Sequence, residues 1–239
     1  MSALTHEEEA RYHRQLIIPE VGFDGQEKLK RARVIVIGAG GLGSPVLMYL
    51  AAAGVGTLGI VDPDEVRTSN LQRQILYNTE DITRPKAEAA AERISLINPL
   101  VTVNAFPVRL GEENAAELLR GYDVAVDCTD NFSSRYLLSD ATQAAGIPMV
   151  YGAVSQFMGQ VSVFNYAGGP SYRDLYPEER LTVTDATPSE QGVIGPLPGI
   201  IGSYQACEVI KIIIGAEEIL SGRLIQVDAL NLRSEIIIF

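Results

Sequence analysis

The stretch RVIVIGAGGLGSP, Arg33 to Pro45, constrains the fold more than any other part of this chain. A continuous β-branched run ending on closely spaced glycines reads as a parallel strand buried on both faces, followed by a tight turn into a helix. Gly38, Gly40 and Gly43 have G-x-G-x-x-G spacing, and the first amides of the helix they open are suited to phosphate. SPVLMYLAAAG reads as that helix, with Ser44 as N-cap, Pro45 at the first helical position and Gly54 as the stop. The next strand, TLGIVD, ends in Asp62, where a carboxylate accepts ribose hydroxyls. NAD, FAD, ATP and a methyl donor fit these residues equally, and a tight turn with no ligand also satisfies them.

The alternation continues downstream. RPKAEAAAERISLINP reads as a helix, VTVNAFPV as a strand, EENAAELLRG as a helix and YDVAVDCTD as a strand, followed by a helix near 133–145 and the strand PMVYGAV. The expected fold is an α/β doubly wound, mostly parallel, Rossmann-like sheet with ligands at the carboxyl ends of its strands. Beyond Gly152 the pattern changes: GQVSVFNY, RLIQVDA and RSEIIIF read as strands without helices alternating between all of them, an antiparallel extension. Between them, 167–198 reads as a long loop of the kind that serves as a functional lid or crossover. The chain is expected to form one unit, with an N-terminal helical arm (1–30), a nucleotide-binding half (31–152) and a second half (153–239).

Composition narrows the function. A formal net charge of −11 with no basic patch argues against nucleic acid and anionic lipid. MSALTHEEEARYHRQ is acidic where a secretory leader is basic and then apolar, and the two cysteines lack partners at metal-ligand spacing, so a reducing cytoplasmic setting is expected. The apolar run from Gly199 to Ile214 carries Gln205, Glu208 and Lys211, and reads as a buried core helix rather than a membrane span.

Charged residues after Asp62 point to a triphosphate. In VRTSNLQRQ, Asn70, Arg73 and Gln74 form a polar segment, and TRPK adds Lys86 at a helix start. Arg73 as a fork and Lys86 as a point charge could both reach phosphates over the glycine turn, although either taken singly fits a solvated surface cation. DCTDN, at the end of a further parallel strand, offers Asp127, Asp130 and Asn131 for magnesium, which prefers oxygen ligands. Asp130 is the better candidate, since Asp127 fits a helix cap or a buried structural acid as well.

Together RYHRQ, GFDGQEKL, VIGAGGLGSP, AGVGTLGIVDPD, SNLQRQ, KAEAAAERISLINP, DCTDNFSSR and GPLPGIIGSYQACEVIK resemble the MoeB/ThiF/HesA family, bacterial relatives of the ubiquitin-activating enzymes. The resemblance runs from about Arg11 to Leu232. It implies an adenylyltransferase that uses MgATP on the C-terminal glycine carboxylate of a ubiquitin-like sulfur-carrier protein, in molybdopterin, thiamine or related biosynthesis. It further implies release of pyrophosphate, a separate sulfur donor and a homodimer. Position by position, it implies Gly41 against the phosphates, Asp62 on the ribose, and Ser69, Asn70, Arg73 and Lys86 around the triphosphate. Asp130 would ligate magnesium, with Asn131 beside it, and Arg14 would reach into the partner subunit's site in the manner of an arginine finger. An already ionised carboxylate needs no general base, in keeping with a site poor in histidine.

Two features depart from that pattern. SYRD (Ser171 to Asp174) stands where many members carry the first Cys pair of a zinc site, so no zinc is expected. Pro188 stands where many carry a loop cysteine, and Cys128 and Cys207 read as packed thiols rather than substitutes. The competing readings are a nicotinamide- or flavin-linked oxidoreductase, which leaves Arg73, Lys86 and Asp130 without a role, and a non-catalytic module of the same fold.

Overall fold

The computed structural model describes residues 4–177 and 192–239. Strand β1 (Arg33–Ile37) shows why the glycine run dominated the sequence reading: Val34 and Val36 enter one core and Ile35 and Ile37 the other. Every inward position on both faces is therefore apolar. Around it stand β2 (Thr57–Val61), β3 (Thr102–Phe106), β4 (Val124–Asp127), β5 (Met149–Ser155), β6 (Met158–Phe164), β7 (Arg223–Asp228) and β8 (Arg233–Ile238). They form one eight-stranded sheet in the order β3-β2-β1-β4-β5-β6-β7-β8. Pairing is parallel from β3 to β5 and antiparallel from β5 to β8, the mixed arrangement expected. Ile37 is level with Val61 of β2 and with Asp127 of β4, so the turn after β1 emerges between two acidic strand ends. Strand order reverses at this point, which is where open α/β sheets bind ligands.

On one face lie α1 (His6–Leu16), α2 (Gly22–Arg31), α3 (Gly43–Ala53), α4 (Lys86–Ile97) and α8 (Pro196–Ile214); on the other lie α5 (Ala115–Leu118), α6 (Phe132–Ala145) and α7 (Tyr172–Leu175). Helix α8 has the length and apolarity to cross a bilayer, yet it packs on α2, α3, β5 and β6 and buries Leu197, Ile201, Gln205 and Val209. The N-terminal arm is fastened through polar side chains. Asn98 donates to the Tyr12 hydroxyl (2.9 Å) and to the Ala51 carbonyl (2.7 Å), and Gln15 and Gln26 both donate to the Ala53 carbonyl.

Four expectations change. Helix α3 begins at Gly43 with Leu42 at its cap position; Ser44 lies buried in the first turn and its Oγ donates back to the Gly40 carbonyl at 2.7 Å. No side chain therefore covers the helix's first amides. The segment EENAAELLRG shortens to a single turn, α5. The region read as a long loop contains α7 and gives way to α8 at Pro196; its middle, including Pro188, lies outside the described residues. Cys207 is exposed on α8, not packed, because this helix is apolar all round and one stripe, with Tyr204 and Ile200, faces outward.

Candidate functional site

A cavity of about 420 Å³ opens at the carboxyl edge of β1, β2 and β4. Its floor is the glycine turn, and the steric requirement differs at each glycine. Gly38 has φ +99°, and a Cβ there would lie 2.6 Å from the Cys128 carbonyl oxygen. At Gly43 a Cβ would run into the Gly38 carbonyl, so Gly43 serves turn and helix packing rather than lining the cavity. Gly40 and Gly41 do line it, and a Cβ on Gly41 would press on Pro198 at 3.2 Å and fill space facing Arg73. With α3 uncapped, this turn presents backbone amides to the cavity.

Asp62 is only 5 % exposed. One carboxylate oxygen accepts from the Ala39 amide at 2.8 Å and the other from the Asp64 amide at 2.9 Å, which pins the glycine turn to the end of β2. Burial pushes its pKa up, and Lys86 together with these amides pulls it back. Lys86, at the first position of α4, is nearly buried and donates to Asp64 Oδ2 at 3.1 Å. The Tyr77 hydroxyl spans the Ala39 carbonyl (2.8 Å) and the Lys86 carbonyl (3.2 Å), joining the turn to the helix that carries the lysine.

Arg73 lines the cavity, steadied by a bond from Nη1 to the Ser69 carbonyl at 3.2 Å. Gln74 lines it too; its amide nitrogen faces Gly40, and its buried Oε1 has no hydrogen-bond partner. Ser69 and Asn70 stand outside the lining. Asn70 spends its side-chain oxygen on the Arg67 amide, and Ser69 acts through its carbonyl.

The opposite wall is the turn after β4. Asp127 is fully buried and does not reach the cavity. Its Oδ1 accepts from the Thr129 amide (3.0 Å) and hydroxyl (2.7 Å), the structural role that the sequence left open beside metal binding. Burial raises its pKa, opposed chiefly by Arg135, whose Nε lies 3.8 Å from Oδ2. Asp130 and Asn131 both line the cavity. Asp130 is exposed, while Asn131 caps α6 by accepting from the Ser134 amide at 2.9 Å. Cys128 is buried, and burial with the neighbouring Asp127 charge raises its thiol pKa well above the usual value, so it is a poor nucleophile. Arg14 is exposed on α1 and is not part of this lining.

Sequence reasoning missed several contributors. Arg109 and Leu110 arrive from the loop after β3, Asp64 pairs with Lys86, and Arg135 lines the cavity from α6. Among the described residues no group of three or more His, Cys, Asp or Glu gathers as a metal site. A cation held at Asp130 would take most of its oxygens from a phosphate ligand, as magnesium commonly does. The cavity's size, its amide-lined turn and its cations fit a nucleotide triphosphate.

Comparison with known proteins agrees with this geometry. Residues 12–237 match the ThiF family. A sulfur carrier protein adenylyltransferase of Thermus thermophilus is 52 % identical over 232 residues, covering 95 % of this chain and 86 % of that protein. A probable molybdopterin-synthase adenylyltransferase of Porphyra purpurea is 49 % identical over 230 residues, covering 96 % of this chain but only 60 % of the relative. Among solved structures, Escherichia coli MccB with ATP superposes with a TM-score of 0.79 at 20 % identity, covering 95 % of this chain and 70 % of that one, a likeness of fold. The chain belongs to the ThiF family.

Proposed function

We propose that this ThiF-family chain adenylates the C-terminal glycine carboxylate of a ubiquitin-like sulfur-carrier protein at the expense of MgATP. The observation that carries the reading is the convergence of Arg73, Lys86 and Asp130 on a glycine turn whose helix is left uncapped. A dinucleotide pyrophosphate needs little cationic help, whereas a triphosphate needs this much. The names of relatives such as the Thermus thermophilus protein support the carrier as the acceptor.

A carboxylate oxygen of the carrier attacks the α-phosphorus of ATP; the bond to the β-phosphate oxygen breaks, and pyrophosphate leaves. No proton is transferred, so the protein's task is to position the reactants and neutralise charge. The amides at Gly40 and Gly41 with Arg73 and Lys86 hold the phosphates, and Asp62 receives the ribose. Asp130, with Asn131 beside it, would hold magnesium, which when bound supplies charge neutralisation on the phosphates. Neither cysteine is suited to a covalent relay: Cys128 is buried, and partial burial and Glu208 raise the pKa of Cys207. Sulfur then comes from a separate donor, and the setting is the cytoplasm.

The working unit in this reading is a homodimer. Arg14 is exposed on an arm fixed through Tyr12, Gln15 and Asn98 and is not among the residues lining its own cavity, which suits a residue delivered to a neighbour. Two experiments test the proposal. Carrier-dependent ATP–pyrophosphate exchange should be abolished when the carrier lacks its last glycine; exchange without carrier would refute it. Mixing inactive Arg14→Ala and Asp130→Ala chains should restore part of the activity, and no recovery after demonstrated subunit exchange would remove Arg14 from the shared site.

A further inference from the structure

Four buried side-chain atoms among the described residues lack a hydrogen-bond partner, and three of them cluster: Asp127 Oδ2, Arg135 Nε and the Tyr172 hydroxyl. Their owners are 0 %, 6 % and 0 % exposed, so none is compensated by bulk water. The guanidinium of Arg135 is fixed from every side. Nη2 donates to the Thr129 carbonyl (3.2 Å), Nε lies 3.8 Å from Asp127, and the group stacks over Phe132 (5.6 Å) and Tyr151 (5.5 Å), with Tyr172 alongside. Arg135 nevertheless lines the cavity, next to Asp130 and Thr129. A guanidinium held in place by Asp127 and Tyr172 and still lining the cavity is a preorganised partner for an oxyanion.

Its position separates it from the other cations. Arg73 lies over Gly41 at the glycine turn, and Lys86 lies beside the end of β2, both on the phosphate side. Arg135 stands across the cavity on α6, held by the turn after β4. Phosphates gathered on the glycine turn would reach this wall only through the magnesium at Asp130, which leaves Arg135 for the second reactant, whose charge is a planar carboxylate matched to the guanidinium fork.

We infer that Arg135 binds the carrier's C-terminal carboxylate and orients it for attack, with Asp127 and Tyr172 positioning the guanidinium. This deepens the adenylation reading and rests on it. A carboxylate there meets the cavity side of the guanidinium while Asp127 remains behind it as the fixed counter-charge.

The test is a double-substitution cycle between enzyme and carrier. A purified ubiquitin-like sulfur carrier ending in Gly-Gly is prepared as the free acid and as the C-terminal carboxamide. Its affinity is measured for the wild type, Arg135→Lys and the charge-balanced double variant Arg135→Gln/Asp127→Asn, with a non-hydrolysable ATP analogue present. The wild type should bind the acid at least about tenfold tighter than the amide, the magnitude of one charge-assisted pair. The double variant should bind both forms alike, and its affinity for the ATP analogue alone should stay within about fivefold of wild type. Arg135→Lys, which keeps the charge and loses the fork, should retain a reduced preference, and it carries the test by itself if the double variant does not fold. An acid-to-amide preference that survives unchanged in the variants would overturn the inference. So would a loss of analogue affinity with the preference preserved, which would assign Arg135 to the phosphates. If the wild type neither binds the carrier nor supports carrier-dependent exchange, it is the adenylation reading that fails.

Discussion

The ends of β2 and β4 are built on one plan and finished differently. Asp127 closes β4 and Asp62 directly follows β2; each is buried and accepts from the amide two residues on, and each is followed by a more exposed aspartate, Asp64 or Asp130. At β2 the plan is complete: both Asp62 oxygens are bonded to amides, and Asp64 is paired with Lys86. At β4 the second Asp127 oxygen has only Arg135 Nε at 3.8 Å, an ion pair beyond hydrogen-bond reach, and Asp130 has only a 3.4 Å contact from Asn131. Under the proposed function the first end is mainly scaffold, although Asp62 and Lys86 also face the ligand, and the second, through Arg135 and Asp130, is mainly receptor.

The largest expected difference lies between the two exposed carboxylates. Asp130→Ala should lower exchange by about 10³-fold, the upper range for losing one preorganised charge-handling group, with an unchanged melting temperature. Asp64→Ala should cost less than about tenfold, because Lys86 keeps its place on α4. Equal losses in exchange would erase the distinction between scaffold and receptor.

Stability should sort the two buried carboxylates the other way. Asp127→Ala leaves Arg135 as a buried charge without its counter-ion and should destabilise by about 3–5 kcal/mol. Asp62→Ala forfeits two amide bonds beside the cavity and should cost about 1–3 kcal/mol. Denaturant midpoints for the two variants decide this; a smaller loss for Asp127→Ala would mean that Arg135 finds another partner.

A smaller effect is expected in pH dependence. Burial raises the Asp62 pKa above its usual 3.8, so the folded chain holds that proton more tightly than the unfolded chain. Between the two values the native state binds more protons, and stability falls as pH rises. Wild type should therefore lose stability relative to Asp62→Asn as pH climbs from about 3.8, the ordinary value, towards neutrality. A relative gain over that window would show the carboxylate held down by its amides and Lys86 instead.

Much of the cavity lining was legible because its demands are local. Gly38, Gly41 and Asp62 follow from backbone approach and strand ends, and Arg73, Lys86 and Asp130 from charge placed where phosphate would lie. Arg135 was hidden within DCTDNFSSR because nothing in a helix start says that its guanidinium turns inward beneath Tyr151 and against Asp127; that depends on how α6 packs on β5. Cys207 misled for a related reason: an apolar helix does not declare which stripe is left uncovered. Ser69 and Asn70 sit at the right place in sequence, yet the one-turn 3-10 helix at Thr68–Asn70 turns their polar groups to local bonds.

The most direct test of the central claim is the intact mass of the carrier after incubation with this chain and MgATP. Adenylation predicts a carrier heavier by one adenylyl group, one pyrophosphate formed per carrier when pyrophosphatase is absent, and loss of the added mass on treatment with hydroxylamine. ADP and phosphate as products, adenylate attached to the enzyme instead, or an unmodified carrier beside an intact ATP pool would contradict it.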